Sequence, residues 1–196
     1  ASMRSTPSGE ERVYELNIAL FSAFGGSAGD IDAYVAAHQL LIAYQGVPGL
    51  YLNALLGSVN DVKQMEITGR TRSINRGSWG AEELAERLAD PESLNAKIFN
   101  RLSQSLKIRA DQRAFAPTAR QRFVKGGKDH LMFLRSDEMQ RLLVVASFSS
   151  EPEEIDWPSG LAISSAMVKD LLINVVHAAD QPLSLAPHQV LWLDLG

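Results

Sequence analysis

The spacing of apolar residues changes near residues 116–118, and this change limits the possible folds more than any other feature of the sequence. Before that point, apolar residues recur mainly at helical spacing; after it, they form short alternating runs separated by turn residues. A chain of 196 residues, 45% of them hydrophobic, has room for one large or two small domains. We predict a helix-containing segment over 13–117 and an antiparallel β-domain over 118–196. The polar residues 1–12 are predicted to be a mobile leader or a remnant of cloning.

The first segment alternates helical and strand-like patterns. Asp30 is predicted to cap a helix from Ile31 to Tyr44, and Asp90 a second one in which Leu94, Ile98, Leu102 and Leu106 recur every four residues. Between these helices, Val47 to Leu56 is almost wholly apolar, as in a strand that is covered on both faces. Helix, buried strand, polar loop and helix in this order favour a βα-barrel or a doubly wound architecture.

The second segment contains six short apolar runs, which we interpret as strands. They are Phe123-Val124, Leu131–Leu134, Leu142–Phe148, Leu161–Ile163, Leu171–Val176 and Val190–Leu195. Hairpin turns are predicted at Gly126-Gly127 and at Ser136-Asp137.

Composition argues against several classes of function. A net charge of -4 and a pI near 5.6 argue against a nucleic-acid partner. No apolar run is long enough for a membrane span, so no membrane partner is expected. The absence of cysteine excludes thiolate chemistry and fits a cytoplasmic protein. The four histidines lack metal-binding spacing, so no metal or cofactor is predicted, and His38 is interpreted as a hydrogen-bonded core residue.

The polar stretch after the apolar run is the candidate binding site. Arg70, Arg72 and Arg76 lie among Gly, Ser, Thr and Asn, and are preceded by Asn60 and Asp61. Arginine forks bind oxygen atoms strongly, and a sugar needs both donors and acceptors around it. The alternative is that the arginines only brace a long loop with ion pairs. The residues alone leave both interpretations open.

Three motifs resemble the α-amylase superfamily, glycoside hydrolase family thirteen. The run G-V-P-G-L-Y-L-N-A-L-L-G-S-V-N-D, residues 46–61, resembles the region of the last barrel strand in that family. The run T-G-R-T-R-S-I-N-R, residues 68–76, is similar to the sucrose phosphorylase branch, and L-A-P-H-Q-V-L-W-L, residues 185–193, to the closing strand of the C-terminal β-domain. The resemblance implies a fold of class α/β plus all-β: the last strand and flanking helices of a (β/α)8 barrel, followed by a small antiparallel β-domain.

The same resemblance implies what the chain contributes to a reaction. Such enzymes retain anomeric configuration with an aspartate nucleophile and a glutamate acid/base. In the family, both lie on strands upstream of the last one, so no catalytic residue is expected in this chain, which should be inactive by itself. A complete barrel takes about 250 residues, more than 13–117 offers. The parent would be a phosphorylase whose partners are a glucoside and inorganic phosphate, with α-glucose 1-phosphate as the product.

The resemblance also assigns substrate-binding residues. Arg72 matches the arginine that holds the glucosyl ring. Asn60 and Asp61 match loop residues near the mouth of the site, and Arg76 matches the motif with a role in binding or in loop shape.

Two other functions remain open from the sequence. One is a stand-alone module that binds carbohydrate or a partner through an exposed tryptophan, with Trp157 as the candidate and Trp192 assigned to the core. The other is part of an α-glucosidase or amylase-type hydrolase. In either enzyme reading, the open barrel surface around the predicted strand is expected to make the chain self-associate.

Overall fold

The computed structural model describes residues 1–196 and divides them into two compact units. The first unit comprises residues 1–31 and 50–100, and the second comprises residues 32–49 and 101–196. These units do not follow the predicted boundary at residue 117. The physical reason is Arg135, whose guanidinium donates hydrogen bonds to the carbonyl oxygens of Ala43 and Ala116 and so ties both segments to the β-domain.

The first unit begins with a β-hairpin in the stretch that was predicted to be a mobile leader. Strand β1, Ser2–Ser5, pairs antiparallel with β2, Glu11–Glu15. The short helix α1, Leu20–Ala23, follows. A 3-10 turn at Ala28–Asp30 has Ser27 as its N-cap, and Asp30 closes the capping box instead of being the cap. The prediction of Asp30 as the N-cap is therefore wrong.

The predicted strand from Val47 to Leu56 is absent. Residues 46–51 have no regular structure, and helix α3 spans Leu52–Leu55, with the N–H groups of Ala54 and Leu55 bonded to the Tyr51 carbonyl at 3.0 Å. A strand needs a neighbouring strand to satisfy its backbone groups, and no other segment pairs with these residues. The backbone satisfies itself locally as a helical turn.

Three more helices complete the helical part of the chain. They are α4, Val62–Thr68, α5, Ala81–Ala89, and α6, Leu94–Asp111. The cap of α6 is Ser93, whose Oγ accepts the N–H of Ala96 at 3.0 Å, whereas the Asp90 carboxylate accepts the N–H of Glu92 in the preceding turn. The assignment of Asp90 as the cap is thus corrected by one turn.

The second unit contains α2, Ile31–Ala43, which agrees with the predicted helix, and an antiparallel sheet. The six sheet strands are β3, Arg120–Val124, β4, His130–Ser136, β5, Arg141–Ser147, β7, Met167–Asp170, β8, Val176–Ala178, and β10, Val190–Asp194, in the order β3-β4-β5-β10-β7-β8. A separate pair is formed by β6, Glu153–Ile155, and β9, Leu183–Leu185. The predicted strands at Leu161–Ile163 and Leu171–Val176 are wrong.

Both faces of the central strands β5 and β10 are buried. Met132, Val145 and Leu191 are register partners on one face and pack with the residues of β6 and β9. Phe133, Val144 and Trp192 are partners on the other face. There the ring of Phe133 stacks on Tyr44, and Trp192 meets Phe115 edge-on at 4.7 Å. The antiparallel β-domain and the core position of Trp192 are confirmed.

Two buried arginines anchor the end of α2, Arg109 from α6 and Arg135 from β4 of this sheet. Arg109 donates to the carbonyls of Ile42, Tyr44 and Gly46, and Arg135 donates to Ala43 and Ala116. The two guanidinium groups lie 5.4 and 5.6 Å from the centre of the Phe115 ring. Burial, with the charge of Arg109 as the second cause, lowers the pKa of Arg135 to about 10, so the side chain stays charged at neutral pH.

Substituting Gly57 tests the packing of the first unit. Gly57 has φ of +61°, and a Cβ at this position would collide with Cδ1 of the fully buried Ile98. Gly69 has nearly the same φ, +63°, but open space around it. We expect Gly69→Ala to lower the free energy of unfolding by about 1 kcal/mol, from backbone strain alone, and Gly57→Ala by about 2 to 4 kcal/mol. Urea unfolding of both variants measures the difference; equal losses would contradict the packing.

A buried carboxylate gives the second unit a pH dependence. Asp170 is completely buried; its Oδ1 accepts the N–H groups of Trp192 and Leu172, and its Oδ2 has no hydrogen-bond partner. Burial raises the pKa of Asp170 above 3.8, against the opposing effect of those two bonds and of His177. Because the pKa is higher in the folded than in the unfolded state, the stabilisation from protonation is complete at low pH and is lost as pH rises through the folded pKa.

The isosteric variant Asp170→Asn removes this titration. We expect the free energy of unfolding of the unmodified chain, relative to Asp170→Asn, to fall as pH rises from about 3.8 towards neutrality. Unfolding titrations at a series of pH values measure the difference. A constant or opposite slope would show that the Asp170 carboxylate is not destabilised by burial.

Candidate functional site

The predicted polar loop, residues 58–78, is largely helical. Helix α4 ends at Gly69, which is in the left-handed conformation, and a 3-10 turn spans Thr71–Asn75. The N–H of Asp61 donates to the Ile74 carbonyl at 2.7 Å, which closes the segment on itself. The arginines are thereby presented on a short, folded segment.

Asn60 and Asp61 use their side chains to build this segment. Asn60 Oδ1 accepts the N–H of Ala19 at 2.7 Å, and Asp61 caps α4 by accepting the N–H of Gln64 at 2.8 Å. A carboxylate cap at the start of a helix accepts a hydrogen bond from a backbone N–H that has no partner within the helix. Both residues line a cleft of about 460 Å³ that also includes Trp79 and Arg87.

The Trp79 side chain forms one wall of that cleft. Its indole N–H donates to Ser58 Oγ at 3.0 Å, and the Arg87 guanidinium lies 5.5 Å from the ring centre. Glu83 pairs with Arg87 one helical turn away. The ring is therefore held by its own neighbours and is only partly exposed.

Arg72 contacts the N-terminal hairpin. Its Nε donates to Glu15 Oε2 at 2.5 Å, and its guanidinium lies 5.8 Å from the centre of the Tyr14 ring. The bond and the charge of Glu15 raise the pKa of Arg72. Because Glu15 engages Nε, the two terminal nitrogens keep hydrogens for another partner. The Tyr14 side chain also hydrogen-bonds to Arg72, so Glu15 and Tyr14 orient the guanidinium, which retains further donor hydrogens for another partner.

Arg70 and Arg76 flank Arg72 and have no ion pair of their own. Together with Arg72, Ser73 and Ser2, both arginines line a cavity separate from the Trp79 cleft. Ser2 Oγ lies 3.0 Å from Thr71 Oγ1, so the hairpin contributes to the wall. The structure thus brings Arg72 and Arg76 together at one cavity, and Asn60 and Asp61 at another.

Sequence reasoning missed the part of this site that the hairpin supplies. Glu15 and Arg72 are 57 residues apart, and residues 1–12 were set aside as a leader. No periodic or local pattern links them. The only available signal was a lone acidic residue beside Tyr14, which by itself does not predict a contact.

The remaining candidates have structural roles. Trp157 is partly buried against the core of the β-domain, and its indole N–H donates to the Gln181 carbonyl at 2.8 Å. His38 is buried and its Nδ1 lies 2.9 Å from the Tyr34 carbonyl oxygen, as predicted for a core histidine. No three His, Cys, Asp or Glu side chains are grouped to hold a metal ion. None of the helices combines the length and apolar character needed to cross a membrane.

Comparison with known proteins gives one relative over nearly the whole chain and others over parts of it. The chain is 31% identical to glucosylglycerate phosphorylase from Spirochaeta thermophila over 98% of its own length and 35% of that enzyme. It is 39% identical to the enzyme of the same name from Allomeiothermus silvanus over 62% of the chain and 23% of the relative. Sucrose 6(F)-phosphate phosphorylase from Thermoanaerobacterium thermosaccharolyticum is 31% identical over 53% of the chain and 19% of the relative. No protein-family model matches.

Solved structures show the same fold. AmyP in complex with maltose superimposes with a TM-score of 0.67 at 18% identity, over 86% of this chain and 35% of AmyP. Trehalulose synthase MutB from Pseudomonas mesoacidophila gives a TM-score of 0.65 at 18% identity, over 92% of this chain and 41% of MutB. The chain thus spans 35% of the length of its first curated relative and 35 to 41% of these structures.

Fold and motifs define the class: this is the C-terminal part of an α-amylase-type protein of glycoside hydrolase family thirteen. Within that family, the relatives named above are phosphorylases. The chain belongs to the sucrose phosphorylase branch, beside the glucosylglycerate phosphorylases.

Proposed function

We propose that this chain is the C-terminal part of a retaining phosphorylase that transfers a glucosyl group from a glucoside to inorganic phosphate. The observation that carries the proposal is the 31% identity to a glucosylglycerate phosphorylase over 98% of the chain. The cavity lined by Arg72 and Arg76 supports it, because it presents uncommitted donors of the kind that bind sugar and anion oxygens.

The proposed reaction has two displacements. A carboxylate nucleophile forms a bond to the anomeric carbon as the bond to the leaving oxygen breaks and that oxygen takes a proton from the acid/base residue. A phosphate oxygen then displaces the carboxylate and gives α-glucose 1-phosphate. The family resemblance assigns both carboxyl groups to barrel strands that this chain does not supply, so we expect no turnover by the chain alone.

Within this chain, Arg72 holds the glucosyl ring through its terminal nitrogens. Arg76 lines the same cavity, while Asn60 and Asp61 fix the backbone near the mouth of the site through the bonds they make to Ala19 and Gln64. We also propose a cytoplasmic location. Phosphorolysis needs inorganic phosphate, and a chain without cysteine has no disulfide bond that a reducing compartment would break.

A chimera tests the proposal. In it, this chain replaces the matching third of the Spirochaeta thermophila enzyme, and α-glucose 1-phosphate is measured with glucosylglycerate or sucrose as donor. We expect phosphate-dependent turnover by the chimera and none by the 196-residue chain alone. Turnover of a glucoside by the chain alone, or release of free glucose independent of phosphate, would contradict the proposal, and the second result would favour a hydrolase.

We expect the isolated chain to self-associate. The first unit exposes large apolar side chains, and eight are at least half exposed: Met3, Val13, Tyr14, Leu16, Tyr51, Leu52, Val59 and Ile67. Apolar surface of this extent normally contacts another protein. Sedimentation velocity over a range of concentrations should show a rising average mass. A monomer at all concentrations would contradict the expectation, and Leu16→Ser with Leu52→Ser should reduce association.

A further inference from the structure

We propose that Arg70 and Arg76 form a binding site for an oxyanion, a phosphate or carboxylate group, beside the sugar contact of Arg72. The choice of ligands rests on the proposed function, whereas the site itself is argued from the cavity. Arg70 and Arg76 are exposed, lack an ion-pair partner and line the same cavity. A free guanidinium fork matches the two oxygens of either anion.

The local charge supports an anionic ligand. Three arginines and no carboxylate line the cavity, and Glu15, which bonds to Arg72, is thereby already paired. Arg4 adds another cation 5.8 Å from the centre of the Tyr14 ring on which Arg72 also lies. This positive surface stands on a chain whose net charge is -4, so it is a local feature.

The alternative role of these arginines, bracing the loop, is already filled by other groups. Asp61 caps α4, the Asp61 N–H bonds to Ile74, and Ser2 contacts Thr71. Neither Arg70 nor Arg76 takes part in these bonds. Their side chains are therefore available to a ligand without a loss of contacts within the loop.

The substrates after which two of the relatives are named fit a ligand of this chemistry. Glucosylglycerate carries a carboxylate and sucrose 6(F)-phosphate a phosphate. Either group, or inorganic phosphate itself, could occupy the site. The shared requirement is a pair of oxygens that carries negative charge.

Anion titration of the ¹⁵N-labelled 196-residue chain tests this inference. Phosphate, glycerate and sulfate are added at constant ionic strength while the amide signals of residues 69–76 are followed by NMR. We expect saturable shifts with a dissociation constant in the millimolar range. The anion that binds most tightly shows whether the site is selective for a phosphate or for a carboxylate group. No saturable shift of these amides with any of the three anions would overturn the inference.

Matched variants separate a site from a general charge effect. Arg70→Gln with Arg76→Gln should weaken binding by about tenfold, because exposed charge pairs each contribute modestly. Arg120→Gln with Arg122→Gln makes the same change in net charge on exposed positions of β3 and should leave binding unchanged. Equal losses in the two pairs, or no loss in the first, would overturn the site.

Two further measurements keep the result unambiguous. If the glutamine pair disturbs the fold, Arg70→Lys with Arg76→Lys retains the charge but loses the fork, and unchanged affinity in that pair would count against the site. Glucose is titrated separately. Glucose binding at Arg72 without anion binding would contradict this inference but not the proposed function. Anion binding together with an inactive chimera would contradict the proposed function but not this inference.

Discussion

Replacing Arg135 with methionine is expected to lower the free energy of unfolding by about 2 to 4 kcal/mol. The substitution leaves the buried carbonyl of Ala43 without a donor, at a cost of about 1 to 3 kcal/mol. It also removes one of the two donors to the partly buried carbonyl of Ala116, which keeps the N–H of Ala119, and removal of a desolvated charge offsets part of the loss. Methionine preserves most of the apolar volume against Phe115. Urea or thermal unfolding of the variant measures the effect.

Arg122→Met is the matched control for this substitution. Arg122 is an exposed arginine on the same sheet and donates no side-chain hydrogen bond, so its loss should change stability by less than about 0.5 kcal/mol. If Arg135→Met were as stable as Arg122→Met, the two bonds of Arg135 would not hold the end of α2 to the sheet.

Substituting Arg72 by alanine is expected to have the largest effect on catalysis. In the active chimera, kcat/KM should fall about 10- to 150-fold, which corresponds to the loss of one charge-assisted hydrogen bond of about 1.5 to 3 kcal/mol. The physical reason is that the terminal nitrogens, which Glu15 leaves uncommitted, no longer reach the sugar. Initial rates of α-glucose 1-phosphate formation provide the measurement.

Glu15 and Arg87 provide the comparison. Glu15→Gln keeps the shape and an acceptor but removes the charge that orients Arg72, so a smaller fall of about threefold to tenfold is expected. Arg87→Ala removes an arginine that lines the other cleft and should leave kcat/KM unchanged. A fall with Arg87→Ala equal to that with Arg72→Ala would show that the sugar contact has been assigned to the wrong cavity.

The features that sequence predicted were those set by local patterns. The apolar spacing of α2 and the runs that became β5 and β10 are each satisfied within one element, and Gly126-Gly127 lies in the connection between β3 and β4 as expected. The prediction of a strand from Val47 to Leu56 was wrong because a short apolar run is equally compatible with a strand and with a buried helix. The segment is helical because no other strand pairs with it, and the presence or absence of a pairing strand cannot be inferred from its composition.

The candidate site was predictable only in part. Arg72 and Arg76 were identified from the motif, and the structure places both at one cavity. The side chains of Asn60 and Asp61 accept hydrogen bonds from the N–H groups of Ala19 and Gln64. Residue types alone do not predict these bonds. The contact with Glu15 depends on a hairpin far away in sequence, so it required coordinates.

The carbonyl anchors of Arg109 and Arg135 have one more consequence, which concerns acid. An ion pair such as Arg113 with Asp137 is broken when the carboxylate takes up a proton, but a peptide oxygen does not titrate in the range where proteins are handled. The end of α2 should therefore stay attached to α6 and to the sheet under acidification that breaks the surface ion pairs, and amide hydrogens near residue 43 should be among the last to exchange as pH is lowered.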